Sequence, residues 1–370
     1  MPFAPTRWST QTMRAAQISG QRSHVTVADM PIPEIDEEDA LVRIEKSGIC
    51  RSDWHLWNGD WSWFGVALPE RHVLGHEIGG IVEAVGNRCK TAKVGQRVTV
   101  PFHLSCGHCA SCKHGRQNLC EDGANSNLYA GTGGWAEYMR VPNADLNCVS
   151  LPDNVDLLTA AALGCRYMTA WHGVHDQVAV KGGDYATVVG CGGVGLAAIE
   201  IATCLGADVI AVDIDEGKLE WARRIGARAT INSKGLSPEE VAAKVARLTP
   251  LGRGSDISVD ALGLEQTATA AILSLNRGGR HAQIGLTSQA EKGYARLPLD
   301  VIVIKELQIR GSVGNPQWAY EGLLRMVSQG RLHPERLVSR TVGLSQVETV
   351  LHQMDEFQTS GYVVIDNMAG

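Results

Sequence analysis

The chain has no long apolar run. Its first thirty residues, Met1 to Met30, hold no uninterrupted hydrophobic stretch of signal-peptide length, and nothing further on approaches the roughly 20 apolar residues of a membrane-spanning helix. It has no long basic run either. With a formal charge of −6 and a pI near 6.1, neither nucleic acid nor an anionic membrane has electrostatic support as a partner. Internal repeats and low-complexity tracts are absent, so repeat architectures drop out. Ten cysteines would suit a secreted protein, but without a leader-like stretch a reducing, cytoplasmic setting is expected. A small molecule is the expected partner.

What is present is enough chain for two domains, since 370 residues exceed the size at which one core usually stops growing. Forty-one glycines concentrate at turns between apolar runs. From Ala40 to Val149 the pattern is short β-like runs broken by Gly, Pro and Asp: Ala40–Glu45, Gly80–Val85, Arg97–Val100 and Ala136–Val141. From about Tyr167 to Arg310 strands alternate with helices, which predicts a parallel, doubly wound α/β sheet. The predicted strands are Ala186–Gly190, Val209–Asp213, Ala229–Ile231, Ile257–Ala261, His281–Gly285 and Leu307–Arg310, with amphipathic segments at Gly195–Leu205 and Gly217–Ile225. A helix at Pro316–Gln329 and a last strand at Gly361–Ile365 follow, and residues 1–12 read as a loose extension. The expected division is 1–166 with 310–370, and 167–309 between them.

The most specific chemistry is the run Cys106-Gly-His-Cys109-Ala-Ser-Cys112-Lys-His-Gly-Arg-Gln-Asn-Leu-Cys120. Four thiolates so crowded point to one metal, and zinc with four sulfur ligands has no open position, so the site is expected to be structural. An iron–sulfur cluster is the rival, but ferredoxin runs continue with a close fourth Cys followed by Pro; here the fourth lies eight residues on and precedes Glu121. A group of free or disulfide-bonded cysteines is the remaining alternative.

A second motif, Gly190-Cys-Gly192-Gly193-Val194-Gly195, follows an apolar strand and opens a helix, the context that makes a glycine pattern a dinucleotide fingerprint. The glycines allow the tight turn, the approach of backbone to pyrophosphate and close packing of helix on strand, with phosphate at the helix N-terminus. The next strand ends at Asp213, whose carboxylate can accept hydrogen bonds from both ribose hydroxyls and would repel a 2′-phosphate, which favours NAD over NADP.

Cys50, His76 and Cys165 are far apart in sequence, and each alone has a plain packing explanation. Together with Gly75-His76-Glu77-Ile-Gly-Gly80, Gly86, the four-cysteine lobe and the glycine turn, they occur in an order and spacing that resemble the zinc-dependent alcohol dehydrogenases of the medium-chain dehydrogenase/reductase family. The resemblance runs from about Arg14 to Ile365. It implies a GroES-like β domain carrying the chemistry, a Rossmann domain carrying NAD, and a cleft between them. It implies two zinc ions per chain: one on Cys106, Cys109, Cys112 and Cys120, and a catalytic one on Cys50, His76 and Cys165. Glu77 would be the carboxylate near the catalytic zinc, sometimes its ligand, and Asp53 the acid that orients His76. Ser52 would touch substrate, His55 would pass the proton toward solvent, and Arg51 would contact the pyrophosphate. Lys218, Gly285 and Leu286 complete the implied cofactor set.

The implied reaction is hydride transfer between an alcohol and NAD, with zinc as Lewis acid. Trp54, Trp57, Trp61, Trp63 and Phe64 fall within eleven residues; they can pack a core, or line a substrate cleft. With Trp61, Phe102 and Leu286 as its wall, the cleft would favour bulky apolar secondary alcohols or ketones. Polyol and threonine dehydrogenases share the motifs, and a non-catalytic NAD- and zinc-binding sensor is the alternative of another class. After Cys165 the chain reads Arg166-Tyr167-Met168-Thr169, a departure from the small residues or glycine that relatives commonly place there. The short interval from Cys120 to Cys165 resembles that of the family's bacterial tetrameric members more than its animal dimeric ones, and by that resemblance a homotetramer is expected.

Overall fold

Val209 to Val212 are all buried, as a strand covered on both faces must be. In the computed structural model, which describes residues 11–66, 68–122 and 133–369, that strand, Asp208–Asp213, lies inside a six-stranded sheet. Side by side run Ala229–Asn232, Asp208–Asp213, Tyr185–Val189, Ser255–Asp260, Leu275–Gln283 and Gln308–Gly311, every neighbouring pair parallel. In chain order this is third, second, first, fourth, fifth, sixth, the doubly wound order of a Rossmann fold. Its helices show why they form where they do. Pro238–Arg247 has Ser237 as N-cap, Glu240 closing a capping box and Pro at its first turn. Val241 and Val245, four apart, are buried against Ile210, Val212 and Ile231, each burial stabilising by about 1.5–3 kcal/mol.

In this sheet the predicted strand ends shift by a residue or two, with one larger difference, and in the other unit the expected strand Ala40–Glu45 continues four residues further, to Ile49. The fifth strand begins at Leu275, six residues ahead of the expected His281, because Ser255 pairs with Leu275 before a bulge and the polar run Asn276–Arg280 hides the start.

The other unit ends its first segment at Cys165 and resumes at Gly314; the parallel sheet belongs to Arg166–Val313. Its larger sheet runs Val338–Gly343, Tyr362–Asn367, Ala40–Ile49, Ile78–Val85, Arg97–Val100 and Val149–Ser150, with Tyr138–Val141 also paired to Ala40–Ile49. A three-stranded sheet joins Thr26–Pro31, Thr12–Ile18 and His72–Val73. The C-terminal strand pairs antiparallel with the long central one, Val363 opposite Ile49, which returns the end of the chain to the first unit. The expected helix at Pro316–Gln329 is a 3₁₀ turn, Gln317–Ala319, running into the helix Tyr320–Ser328. Ten residues of the expected N-terminal extension lie outside the described residues. Among the described residues no helix is long and apolar enough to cross a membrane.

Candidate active site and metal centres

Sheet register brings Cys50 and His76 together. Ser47 pairs with Ile78 in antiparallel strands, so the residues just beyond one strand and just before the other emerge at the same end. The Gly48 amide donates to the Glu77 carbonyl at 2.8 Å. Cys50 then becomes the N-cap of the helix Arg51–Asn58. The third ligand arrives on a different element. Helix Leu157–Ala162 packs against the strand Ile78–Val85 at Gly79, where a Cβ would stand 2.2 Å from the Leu157 carbonyl oxygen. The chain then breaks regular helix at Gly164, φ −29° and ψ −124°, and presents Cys165. One ligand atom each from Cys50, His76 and Cys165 lies within 4.8 Å of the others.

Asp53 fixes this cluster from behind. It is fully buried, and its carboxylate accepts the Cys50 amide at 2.8 Å, the Gly75 amide at 3.1 Å and His76 Nδ1 at 2.9 Å. Since the carboxylate only accepts, Nδ1 donates and Nε2 is the free ligand atom. Nε2 is buried, points to the Cys50 side and has no geometrically sound hydrogen-bond partner among the described residues. Burial opposes a charged His76, but the Asp53 charge and hydrogen bond, with Cys50, outweigh it and raise the imidazole pKa well above its ordinary value. A cation at Nε2 satisfies the same electrostatic demand, and two sulfurs and one nitrogen with a fourth position open suit catalytic zinc.

Glu77 is fully buried but is not a member of the clustered ligand set. Two glycines make its space: a Cβ on Gly48 would meet Glu77 Oε2 at 2.0 Å, and one on Gly164 would meet Glu77 Cβ at 2.4 Å. Neither glycine stands out in the sequence, because the requirement exists only after folding. Ser52 Oγ lies 3.8 Å from Cys50 Sγ, and His55, one turn along the same helix, pairs with Asp60 at 2.6 Å. Asp60 was invisible to sequence reasoning, lying five residues on and past a glycine. The Arg51 guanidinium packs over the rings of Trp54 at 3.6 Å and Phe357 at 4.8 Å and donates to the Met354 carbonyl. It is thus anchored within its own unit.

Of the aromatic cluster, Trp57 is core, donating to the Ser23 carbonyl at 2.8 Å, while Trp54 is buried and Trp63 exposed. Trp61 is half-buried and stacks on His55. Phe102 is buried with its ring 5.9 Å from that of His76. Beside it, burial and then His76 push the His103 imidazole down to about 4, so it is neutral at pH 7. His103 Nε2 and both amide atoms of Asn315 are buried without hydrogen-bond partners among the described residues.

The four cysteines form a separate cluster with all sulfurs within 4.8 Å of one another. Cys106 and Cys112 sulfurs are 4.0 Å apart, as are those of Cys109 and Cys120; tetrahedral zinc with bonds of about 2.3 Å would set them about 3.8 Å apart. All four are free thiols. The amides of Cys106, Cys109 and Cys112 donate to the sulfurs of Cys120, Cys106 and Cys109 at 3.3, 3.3 and 3.4 Å, the arrangement that favours thiolates. The Glu121 and Cys112 amides draw the Cys109 thiol down to about 6, whereas burial and the neighbouring Cys109 push Cys112 up to about 12. Thiolates crowded this closely repel one another, and a cation held among the four sulfurs relieves that repulsion.

In the parallel-sheet unit the glycine turn joins the strand Tyr185–Val189 to the helix Gly193–Cys204. Gly190 has φ 93°, and a Cβ on Gly195 would lie 1.7 Å from the Gly190 carbonyl oxygen, whereas Gly192 faces open space. That fits backbone approach by a pyrophosphate at the helix start occupied by Gly193 and Val194. Asp213 is buried at the end of its strand, where its carboxylate accepts the Cys191 amide at 2.7 Å and the Asp215 amide at 2.9 Å. Both oxygens keep lone pairs for ribose hydroxyls. Lys218 is half-buried in the following helix, Gly285 packs against the Gly263 amide with no room for a Cβ, and Leu286 is 59% exposed. Tyr167, in the segment that departs from the resemblance, donates to buried Glu200 at 2.8 Å, so it packs the sheet unit.

Comparison with known proteins gives two family matches: an alcohol dehydrogenase GroES-like domain over residues 36–153 and a zinc-binding dehydrogenase over residues 193–329. D-xylulose reductase A of Aspergillus oryzae is 34% identical over 89% of this chain and 90% of its own length. An alcohol dehydrogenase of Geobacillus stearothermophilus is 30% identical over 95% and 98%. Among solved structures, the alcohol dehydrogenase TADH from Thermus sp. ATN1 superposes with a TM-score of 0.86 at 32% identity, covering 95% of this chain and 99% of that one.

Proposed function

The chain belongs to the zinc-dependent alcohol dehydrogenases of the medium-chain dehydrogenase/reductase family, and on that premise we propose that it interconverts bulky apolar secondary alcohols and ketones with NAD as hydride acceptor. It is an enzyme that oxidises alcohols or polyols with zinc and a nicotinamide dinucleotide. The observation that carries the reaction is the convergence of Cys50, His76 and Cys165 on one point with Asp53 behind them. Zinc held there supplies the Lewis acidity that makes an alcohol acidic near neutral pH.

This chain's own residues do the rest. Asp53 holds the His76 ring and the Cys50 backbone, so the ligands meet a substrate without rearrangement. Ser52, beside Cys50, takes the substrate's hydroxyl proton, and His55, three residues along the helix and so on the same face, carries it toward solvent. Phe102 against His76 supports an apolar wall for the substrate's bulk, with Trp61 as further lining from the same unit. Asp213 supports NAD over NADP through its negative charge. Ten cysteines with no disulfide among them suit a cytoplasmic setting, and a homotetramer is the assembly we assign.

A second reading has its own observation. His103 Nε2 and the Asn315 amide are buried and unpaired among the described residues, Gly314 abuts the His103 ring, and such groups reward a substrate with further hydroxyls, as a polyol has. Initial rates for 1-phenylethanol and 2-heptanol against xylitol, sorbitol and threonine, each with NAD and with NADP, separate the two. We expect the apolar secondary alcohols with NAD to give the highest kcat/KM. Xylitol or sorbitol in first place assigns the His103 side to a polyol, and a wild-type preference for NADP overturns the reading of Asp213.

A further inference from the structure

The helix that begins at Cys50 ends by folding back on itself. Gly59 adopts φ 77°, a left-handed conformation that glycine takes without strain. Its amide donates to the Leu56 carbonyl at 3.1 Å, and the Asp60 amide donates to the His55 carbonyl at 2.9 Å. This closure sets the Asp60 side chain beside the imidazole of His55. Oδ2 lies 2.6 Å from His55 Nδ1, and Asn58 Nδ2 donates to Oδ1 at 2.6 Å. Asp60 is only 7% exposed. Trp61 stacks on one face of the histidine, centroids 5.3 Å and planes 22° apart, and Trp54 meets it edge-on at 5.1 Å.

A carboxylate only accepts, so the proton of a neutral His55 resides on Nδ1. The hydrogen bond from His55, helped by Asn58 and the charge of Arg51, holds the Asp60 pKa below its ordinary value against burial, so the group is ionised at neutral pH. With Nδ1–H committed to Asp60, Nε2 is the ring's only basic atom, and the stack and the hydrogen bond fix where it points.

We propose that Asp60 is the positioning residue of His55, holding the Nδ1–H tautomer so that Nε2 receives the proton the alcohol releases. The use in turnover rests on the relay reading above; the tautomer does not. The alcohol's O–H bond breaks, the proton reaches Nε2 through Ser52, and the resulting imidazolium returns one proton to water from the same nitrogen. Nδ1–H stays with Asp60 throughout, and the hydride leaves separately to NAD. Trp61 in this arrangement limits the motion of the ring, a role distinct from lining a substrate pocket.

Long-range proton–nitrogen correlation spectra of the histidine rings, recorded on zinc-loaded enzyme without NAD, read the tautomer directly, with His55→Ala identifying the signal. We expect Nδ1–H in the wild type and in Asp60→Glu, and a switch to mainly Nε2–H in Asp60→Ala. Asp60→Ala should lower kcat on the order of 10-fold, the scale on which lost orienting partners act, while the dissociation constant for NAD and Tm stay near wild type. Asp60→Glu should recover part of the rate, and Asp60→Ala should add nothing in a His55→Ala background. An Nε2–H wild type, or an Asp60→Ala variant that loses Tm but keeps tautomer and rate, overturns the proposal. A His55→Ala enzyme at full speed instead overturns the relay reading, and Asp60's role in turnover with it.

Discussion

The two metal clusters are built by opposite routes. The four cysteines lie between Cys106 and Cys120, and three of their own amides donate to their sulfurs; the site is local, closing a short loop whose entropy cost is small. Cys50, His76 and Cys165 meet only when a strand register, a helix start and a helix break are all in place. The local cluster can take up zinc early and help its lobe fold, because metal binding free energy is then folding free energy. The distributed cluster is a product of folding that is already complete. Loss of a ligand should therefore damage stability at one cluster and activity at the other.

The largest expected effect is that asymmetry itself. Cys109→Ser should leave a protein that is destabilised or fails to accumulate, since apparent zinc binding in zinc-finger peptides is about 10–16 kcal/mol. Cys50→Ser should give a folded protein with one zinc and no turnover. Metal analysis beside thermal unfolding measures both, with two zinc ions expected for the wild type. Equal Tm losses in the two variants would erase the distinction.

A sharper cut leaves the ligands alone. Asp53→Asn removes the charge that orients His76 but keeps the size of the side chain, and one of the three donors it now accepts must face an amide group. Zinc affinity at the distributed site should fall about 10- to 100-fold, with the four-cysteine zinc retained. Chelator competition monitored by metal release should show one early and one late zinc. A single shared release step would mean that the clusters are coupled.

The same contrast explains what the sequence disclosed. The lobe was legible because its ligand spacing is its structure, and the parallel sheet because buried runs such as Val209 to Val212 have no other use. The three distant ligands were legible through family resemblance. What stayed hidden depends on contacts formed late: Gly48 and Gly164 clearing space for Glu77, and Asp60 reaching His55 through the left-handed turn at Gly59. Arg51 is the instructive case. Its neighbour Phe357 comes from the far end of the chain, and no local pattern signals that its guanidinium will be packed between two rings.

The smallest expected effect tests how self-sufficient the local cluster is. Its root is held by Asn143, whose Nδ2 donates to the carbonyls of Ser105 at 3.2 Å and Cys106 at 2.7 Å. Neither carbonyl depends on it alone: Asn147 Nδ2 also reaches Ser105, at 3.0 Å, and His108 Nδ1 also meets the Cys106 carbonyl, at 2.9 Å. Asn143 itself has φ 51°, a left-handed conformation that asparagine tolerates and glycine takes without strain. Asn143→Gly therefore removes two shared hydrogen bonds and keeps the backbone, and should cost about 1 kcal/mol or less. Asn143→Ala adds the strain of a Cβ in that region, about 1–2 kcal/mol more. Thermal unfolding should rank wild type, Gly and Ala in that order, with zinc content and kcat unchanged in both. If Asn143→Gly instead sheds the lobe's zinc, the cluster leans on the turn around Asn143, and it is less local than its spacing implies.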